Sequence, residues 1–297
     1  MAQTVNDDAA FVVNLLTTLR DEKFSARAWA RFLARSWEMS CYTARTHPTM
    51  KRSWQHVSML IGIVALAILV ATFFIEGATT ALHLFPGLVF FVAWQQSDLF
   101  WHLGLNRHVR TGQLFPVVGV ANTLTELRGL GAAFLLARLV AGIPTPSGLA
   151  LAVFLVGGAT DILDGQIARR TETQSKLGQI ADGEADFCLY LALTIILIQN
   201  AVLPLWLGLI MLLRFFIPLI AALGSYFVFA RPVRYGSTVW GKYAGLAQCL
   251  YFLVMIAPPQ LNFLTRYINL PLLIATLILL IAAPLAQIIE NLRIARG

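Results

Sequence analysis

Long apolar runs separated by short polar or basic connections fill the chain from about residue 57 onward. At the length a helix needs to cross a bilayer, about 20 residues, the runs fall at roughly 57–75, 79–95, 127–145, 147–163, 183–200, 202–227, 243–258 and 268–287. Pro86 and Gly87 interrupt the second run, so a re-entrant or broken segment is the alternative to a plain span there. Ahead of the first run, Phe24, Trp29, Phe32, Leu33 and Trp37 recur at near-helical spacing, while Arg27, Arg31 and Arg35 step by four on another face. A basic helix with aromatic anchors suits the membrane interface. Packing of that helix on the membrane domain is the alternative.

Composition agrees with this pattern. The chain of 297 residues is 58% hydrophobic and 12% charged, with a mean hydropathy of +0.72. Soluble domains are about half apolar and about a quarter charged, so an all-α, polytopic membrane bundle is expected. Asp7 and Asp8 precede a short apolar patch with no small-residue cleavage site after it, which does not read as a cleaved signal peptide. Cys41, Cys188 and Cys249 are far apart and carry no CxxC or Cys/His spacing, which argues against a disulfide framework and against zinc.

The net charge of +7 is distributed as membrane topology requires. With eight spans, every Lys and Arg except Arg138, Arg214 and Arg266 falls before residue 56 or on alternate connections of one side. That bias predicts both termini in the cytoplasm of a multi-pass protein, with a bacterial inner membrane as its expected location and the aspartates at the cytoplasmic face. It also removes the reason to invoke nucleic acid as a partner. The connections near 143–148, 200–204 and 258–266 are short and contain Pro or Asn, as tight outer loops should. No internal repeat is visible. The expected division is a cytoplasmic N-terminal region (1–55), two membrane segments with their loop (56–117) and a third region holding the remaining six runs (118–297).

Candidate chemistry concentrates in residues 157–190, GGATDILDGQIARRTETQSKLGQIADGEADFCLY. Asp161 and Asp164 are spaced i,i+3, and Asp182 and Asp186 are spaced i,i+4, so each pair shares a helix face. Each pair is continuous with an apolar run. Four carboxylates at the ends of two membrane helices are costly unless they are paired or coordinate something, and hard divalent cations are the natural partners. Glu184 is rotated off the Asp182/Asp186 line and falls outside the site on this reading. A loop of salt bridges between helices would account for Arg170, Glu172 and Lys176 but not for the four aspartates.

The order Asp161-x2-Asp164-Gly165-x2-Ala168-Arg169, eight residues, then Gly178-x3-Asp182-x3-Asp186 resembles the signature of the CDP-alcohol phosphotransferase (CDP-alcohol phosphatidyltransferase) family, with every fixed position filled. The resemblance covers about residues 118–290 and implies the family's six-helix core, which leaves the first two spans outside it. It also implies transfer of a phosphatidyl group from CDP-diacylglycerol to a polar alcohol with release of CMP. It makes Asp161, Asp164 and Asp182 the main metal ligands, with Asp186 touching the second metal and serving as general base. Two magnesium ions are expected, with manganese the alternative. For CDP binding it implies Asp161, Asp164, Gly165, Ala168, Arg169 and Gly178: Gly165 and Ala168 small where cytidine meets the helix backbone, Gly178 letting the two helices approach, and Arg169 on the pyrophosphate. The resemblance further implies a homodimer.

The stretch Ala121-Asn-Thr-Leu-Thr-Glu-Leu-Arg128 is similar to the Asn-x-Leu-Thr-x-x-Arg opening of many members. Asn122, Thr125 and Arg128 either face the nucleotide, or Asn122 and Thr125 cap the helix. Arg231, Arg234 and Lys242 are candidate acceptor-binding residues beside the alternative of an ordinary basic loop, and Arg214 sits mid-span as a further candidate. Gly241-Lys242 resembles a pair found where the acceptor is a phosphorylated alcohol. Its usual continuation is replaced by Tyr243-Ala244-Gly245, which argues against glycerol phosphate. A CDP-choline or CDP-ethanolamine donor with diacylglycerol as acceptor is the first alternative, and Trp94, Trp101 and Trp240 are available for a cage around a choline headgroup. A transporter with intramembrane aspartates is the second, and it predicts midplane carboxylates and repeated halves.

Overall fold

A computed structural model of the chain describes residues 16–229, 239–257 and 262–296. Among these, helices make up nearly everything, and the β-structure is limited to the isolated bridges Arg107–Leu114 and His108–Ser175. The long helices are α1 (Ala26–Thr46), α2 (Pro48–Glu76), α3 (Ala78–Trp101), α4 (Gly119–Val140), α5 (Ser147–Arg170), α6 (Lys176–Gln199), α7 (Leu205–Phe229), α8 (Val239–Ile256) and α9 (Asn262–Arg296). They fall into two compact units. One comprises the chain to Thr145 with Ala152–Ala192, and the other Pro146–Leu151 with the chain from Leu193.

In order, α2 to α9 match the eight predicted runs, but among the described residues only α2, α3, α5 and Arg266–Ala286 of α9 are long and apolar enough to cross a membrane on length and composition alone. The apolar part of α7 that qualifies is short, Leu205–Ile217. Charge explains why α4 and α6 fall short: α4 carries Glu126, Arg128 and Arg138, and α6 carries Asp182, Glu184 and Asp186. The outward faces are those of a lipid-facing bundle, with Leu66, Phe74, Ile75, Leu82 and Phe90 all exposed.

The helices run beyond the apolar limits on the side of the aspartates. α4 begins at Gly119, α5 continues to Arg170 and α6 starts at Lys176. Backbone hydrogen bonding carries a helix past its last apolar residue when the end is satisfied. Ser175 supplies this for α6, its hydroxyl accepting from the Gly178 N–H at 2.9 Å.

The pair Pro86-Gly87 does not break α3, which is continuous with Pro86 inside it. Gly87 instead marks a close crossing. A Cβ there would lie 3.2 Å from both the Cα and the Cβ of Ala137 on α4. The first two apolar helices are thus packed on α4 and not merely tethered to it. An ion pair with a buried arginine adds to this: Arg138, 1% exposed, donates through Nη1 and Nη2 to the Glu76 carboxylate at 2.6 and 3.0 Å, and through Nη2 to Pro144 O at 2.5 Å.

Helix α1 is capped by Ser25, whose hydroxyl accepts from the Ala28 N–H. One face docks on the end of α3: the Trp101 indole N–H donates to Ser36 Oγ, and Ser40 Oγ donates to Trp101 O. The Trp37 ring lies 5.2 Å from Phe100 and 5.7 Å from Trp101. The packing alternative therefore holds for this face. Leu33, Trp37 and Tyr42 remain exposed, and so do the arginines of the basic face.

Candidate active site

Helices α4, α5 and α6 meet where their polar ends converge. At the crossing of α5 and α6 a Cβ on Gly157 would lie 2.8 Å from Leu189 Cδ2, so only glycine admits this approach without the leucine moving. Gly178 does the same between α6 and α4. A Cβ there would lie 2.6 Å from Asn122 Oδ1 and 3.2 Å from Ser175 Oγ.

The four aspartates come together as their spacing predicts. Asp161, Asp182 and Asp186 each offer one oxygen within 4.8 Å of the other two. Their side chains are 49%, 48% and 36% exposed, whereas that of Asp164 is only 7% exposed. Three carboxylates thus open outward and one is enclosed. Asp164 is held from behind, its Oδ2 accepting from the Thr125 hydroxyl at 2.8 Å.

Arg128 closes the centre. Its side chain is 1% exposed and faces all four carboxylates. Nη1 donates to Asp161 Oδ1 and Nη2 to Asp182 Oδ1, Nη2 lies 3.6 Å from Asp164 Oδ2, and Nε lies 3.5 Å from Asp186 Oδ1. One guanidinium against four carboxylates leaves a large excess of negative charge. An all-oxygen donor set with that excess fits hard divalent cations.

The other predicted residues are placed as follows. Asn122 and Thr125 do not cap α4: the cap position is Val118, with no side-chain cap bond. They lie in its first two turns, where Asn122 Nδ2 donates to Val118 O and Thr125 Oγ1 also bonds Ala121 O, each four residues back. Their positions are buried, Asn122 against Gly178 and Thr125 against Asp164. Arg169 is exposed and folds over Gly165, where a Cβ would lie 3.1 Å from its Nη1; Ala168 is half-buried beside it.

Arg214 belongs to the second unit. Its Nη1 donates to Gln248 Oε1 at 3.0 Å, and its guanidinium lies 5.1 Å from the Phe215 ring centroid. Lys242 is exposed in the first turn of α8, and Arg231 and Arg234 lie outside the described residues. Trp101 is engaged by α1, and Trp94, seven residues earlier on α3, is 68% exposed.

Glu184 faces away from the aspartates onto a second polar group with Asp98 and His102, whose ligand atoms lie within 4.8 Å of one another. His102 Nδ1 lies 3.1 Å from Asp98 Oδ2. Burial pushes the His102 imidazole down, but Asp98 and Glu184 outweigh it and hold it above its ordinary value. Deeper in, Glu126 accepts from Gln96 Nε2, and Gln96 Oε1 accepts from the Ser58 hydroxyl, which ties α2 and α3 to α4. Sequence reading missed this second group; its one local trace is the i,i+4 spacing of Asp98 and His102.

The class defined by this fold and site is an α-helical membrane protein with a carboxylate centre at the ends of its helices. The chain belongs to the CDP-alcohol phosphatidyltransferase family, whose model matches residues 118–286, just over half of its length. A CMP-forming cardiolipin synthase of Streptomyces coelicolor is 37% identical over 101 residues, which is 33% of this chain and 47% of that protein. This chain therefore aligns with about half of the relative's length. No solved structure matches.

Proposed function

We propose that this protein transfers the phosphatidyl group of CDP-diacylglycerol to a polar alcohol and releases CMP, as a step of phospholipid synthesis. The observation that carries the reading is the convergence of Asp161, Asp164, Asp182 and Asp186 on one centre, in the family's signature order. Asp161, Asp164 and Asp182 would hold divalent cations, magnesium in the first instance and two in number, with Asp186 reaching the second. Bound there, the ions would spread the charge of the pyrophosphate and of the departing CMP.

The protein's own groups account for the rest. Arg169, exposed at the rim, is free to turn its donors to the pyrophosphate, and Gly165 and Ala168 leave room for cytidine against α5. The acceptor oxygen attacks the phosphorus of the phosphatidyl group. Asp186 takes the hydroxyl proton, the P–O bond to CMP breaks, and CMP leaves with the bonding electron pair. The basic bias of the sequence supports an active centre at the cytoplasmic face, with both termini on that side. The first two apolar helices act as a buttress for α4 in this reading, and the family resemblance supports a homodimer.

Cardiolipin joins two phosphatidyl groups through glycerol, so phosphatidylglycerol belongs among the acceptors tested, beside inositol, inositol phosphate, serine and glycerol 3-phosphate. Purified protein in detergent with magnesium and CDP-diacylglycerol should release CMP only with one of these acceptors. If CMP appeared only from CDP-choline or CDP-ethanolamine with diacylglycerol, the donor assignment would be reversed. No CMP release with any pairing of donor and acceptor would remove the enzymatic reading.

A further inference from the structure

Arg128 is the most enclosed charged group of the centre, and its bonding pattern is unusual for an arginine among carboxylates. A guanidinium normally grips one carboxylate through a two-pronged fork. Here no aspartate is gripped in that way. Nη1 serves Asp161, Nη2 serves Asp182 and lies near Asp164, and Nε approaches Asp186 without a hydrogen bond. The stem is fixed: a Cβ added to Gly157 would lie 3.7 Å from Arg128 Cγ, which places the aliphatic part against α5. The head is thus a single positive charge shared by four ligands, each contact separately replaceable.

We propose that Arg128 is an internal counter-ion that competes with divalent cations for the aspartate oxygens and so sets the affinity of the centre for metal. The inference rests on the divalent-cation reading of the aspartates. The oxygens that would hold an ion between Asp161 and Asp182 are those that accept from Nη1 and Nη2. Metal binding therefore has to take them from the guanidinium. When ions depart, Arg128 takes the oxygens back, and the four carboxylates are never left unopposed beside apolar surroundings. Affinity is held down by this exchange.

The test is Mn2+ binding to the full-length protein in detergent, read as the loss of the free-ion electron paramagnetic resonance signal. The proteins compared are the wild type, Arg128→Gln and Arg128→Lys, each prepared with magnesium and then exchanged. Removing a competing charge at contact distance should tighten binding by about tenfold or more in Arg128→Gln. Arg128→Lys, with one point charge that cannot reach four carboxylates, should fall between it and the wild type and serves if the glutamine variant does not survive exchange.

A merely structural arginine predicts the opposite, since a disorganised centre binds ions more weakly. Equal or weaker binding in the variants would overturn the proposal. If the wild type bound no Mn2+, or if Asp161→Asn with Asp182→Asn left binding unchanged, the cation reading itself would fail, and the two failures are told apart by the wild type and this control.

Discussion

Thr125→Val removes one hydroxyl from the centre and little else. Valine has the shape of threonine and a similar helix propensity, so α4 should persist. The hydroxyl donates at 2.8 Å to Asp164 Oδ2, the one carboxylate of the four that is enclosed. A hydrogen bond to a charged group contributes about 1.5–3 kcal/mol. At 1.36 kcal/mol per factor of ten, this corresponds to about 10- to 100-fold in the affinity of the centre for its ions. Losses of the same size follow removal of groups that orient metal ligands elsewhere. The assay is acceptor-dependent CMP release against magnesium concentration. The half-activating concentration should rise by that factor in Thr125→Val and stay near the wild-type value in Thr125→Ser, which keeps the hydroxyl. A valine variant activated at the wild-type concentration would refute the claim that Thr125 orients a metal ligand.

Three further outcomes follow from contacts away from the aspartates. Glu76→Gln leaves the buried Arg138 guanidinium without its counter-charge; since Glu76 is about a third exposed, the expected loss is about 2–3 kcal/mol, read as a lower melting temperature, and an unchanged melting temperature would contradict it. Gly87→Leu forces side-chain atoms against the backbone of Ala137 and should destabilise by about 1–3 kcal/mol; a neutral result would mean that α3 and α4 are not closely packed there. His102 is held above its ordinary value, so its pairing contributes fully below about pH 6.5 and fades as pH rises through the folded value. The stability difference between wild type and His102→Gln should therefore shrink on going from acid to alkaline pH, and a difference independent of pH would count against it.

The sequence disclosed the centre because a helix converts spacing into facing: i,i+3 and i,i+4 aspartates next to apolar runs have few other readings. Convergence of the two pairs was legible because a short loop joins their helices. What partners the aspartates was less legible. Arg128 lies 33 residues before Asp161 and 54 before Asp182, and no local pattern distinguishes an arginine aimed at a nucleotide from one aimed at carboxylates. Asn122 and Thr125 look like capping residues next to an apolar run, but the helix began two turns earlier than the run did. Pro86-Gly87 reads as punctuation in a sequence, and only the position of Ala137 reveals it as a crossing. Glu184 was correctly set apart from the aspartate line by its angle on the helix, yet its partners Asp98 and His102 come from a helix outside the family's segment, where the signature has nothing to say.

The most direct test of the account is CMP release from CDP-diacylglycerol by the purified protein with magnesium and an accepted alcohol, for wild type against Asp186→Asn. The account predicts acceptor-dependent release by the wild type, its abolition by EDTA, and loss of nearly all activity in the variant while its melting temperature stays close to the wild-type value. Undiminished CMP release by folded Asp186→Asn would contradict the assignment of the aspartate centre as the place where the acceptor is deprotonated and the phosphatidyl group transferred.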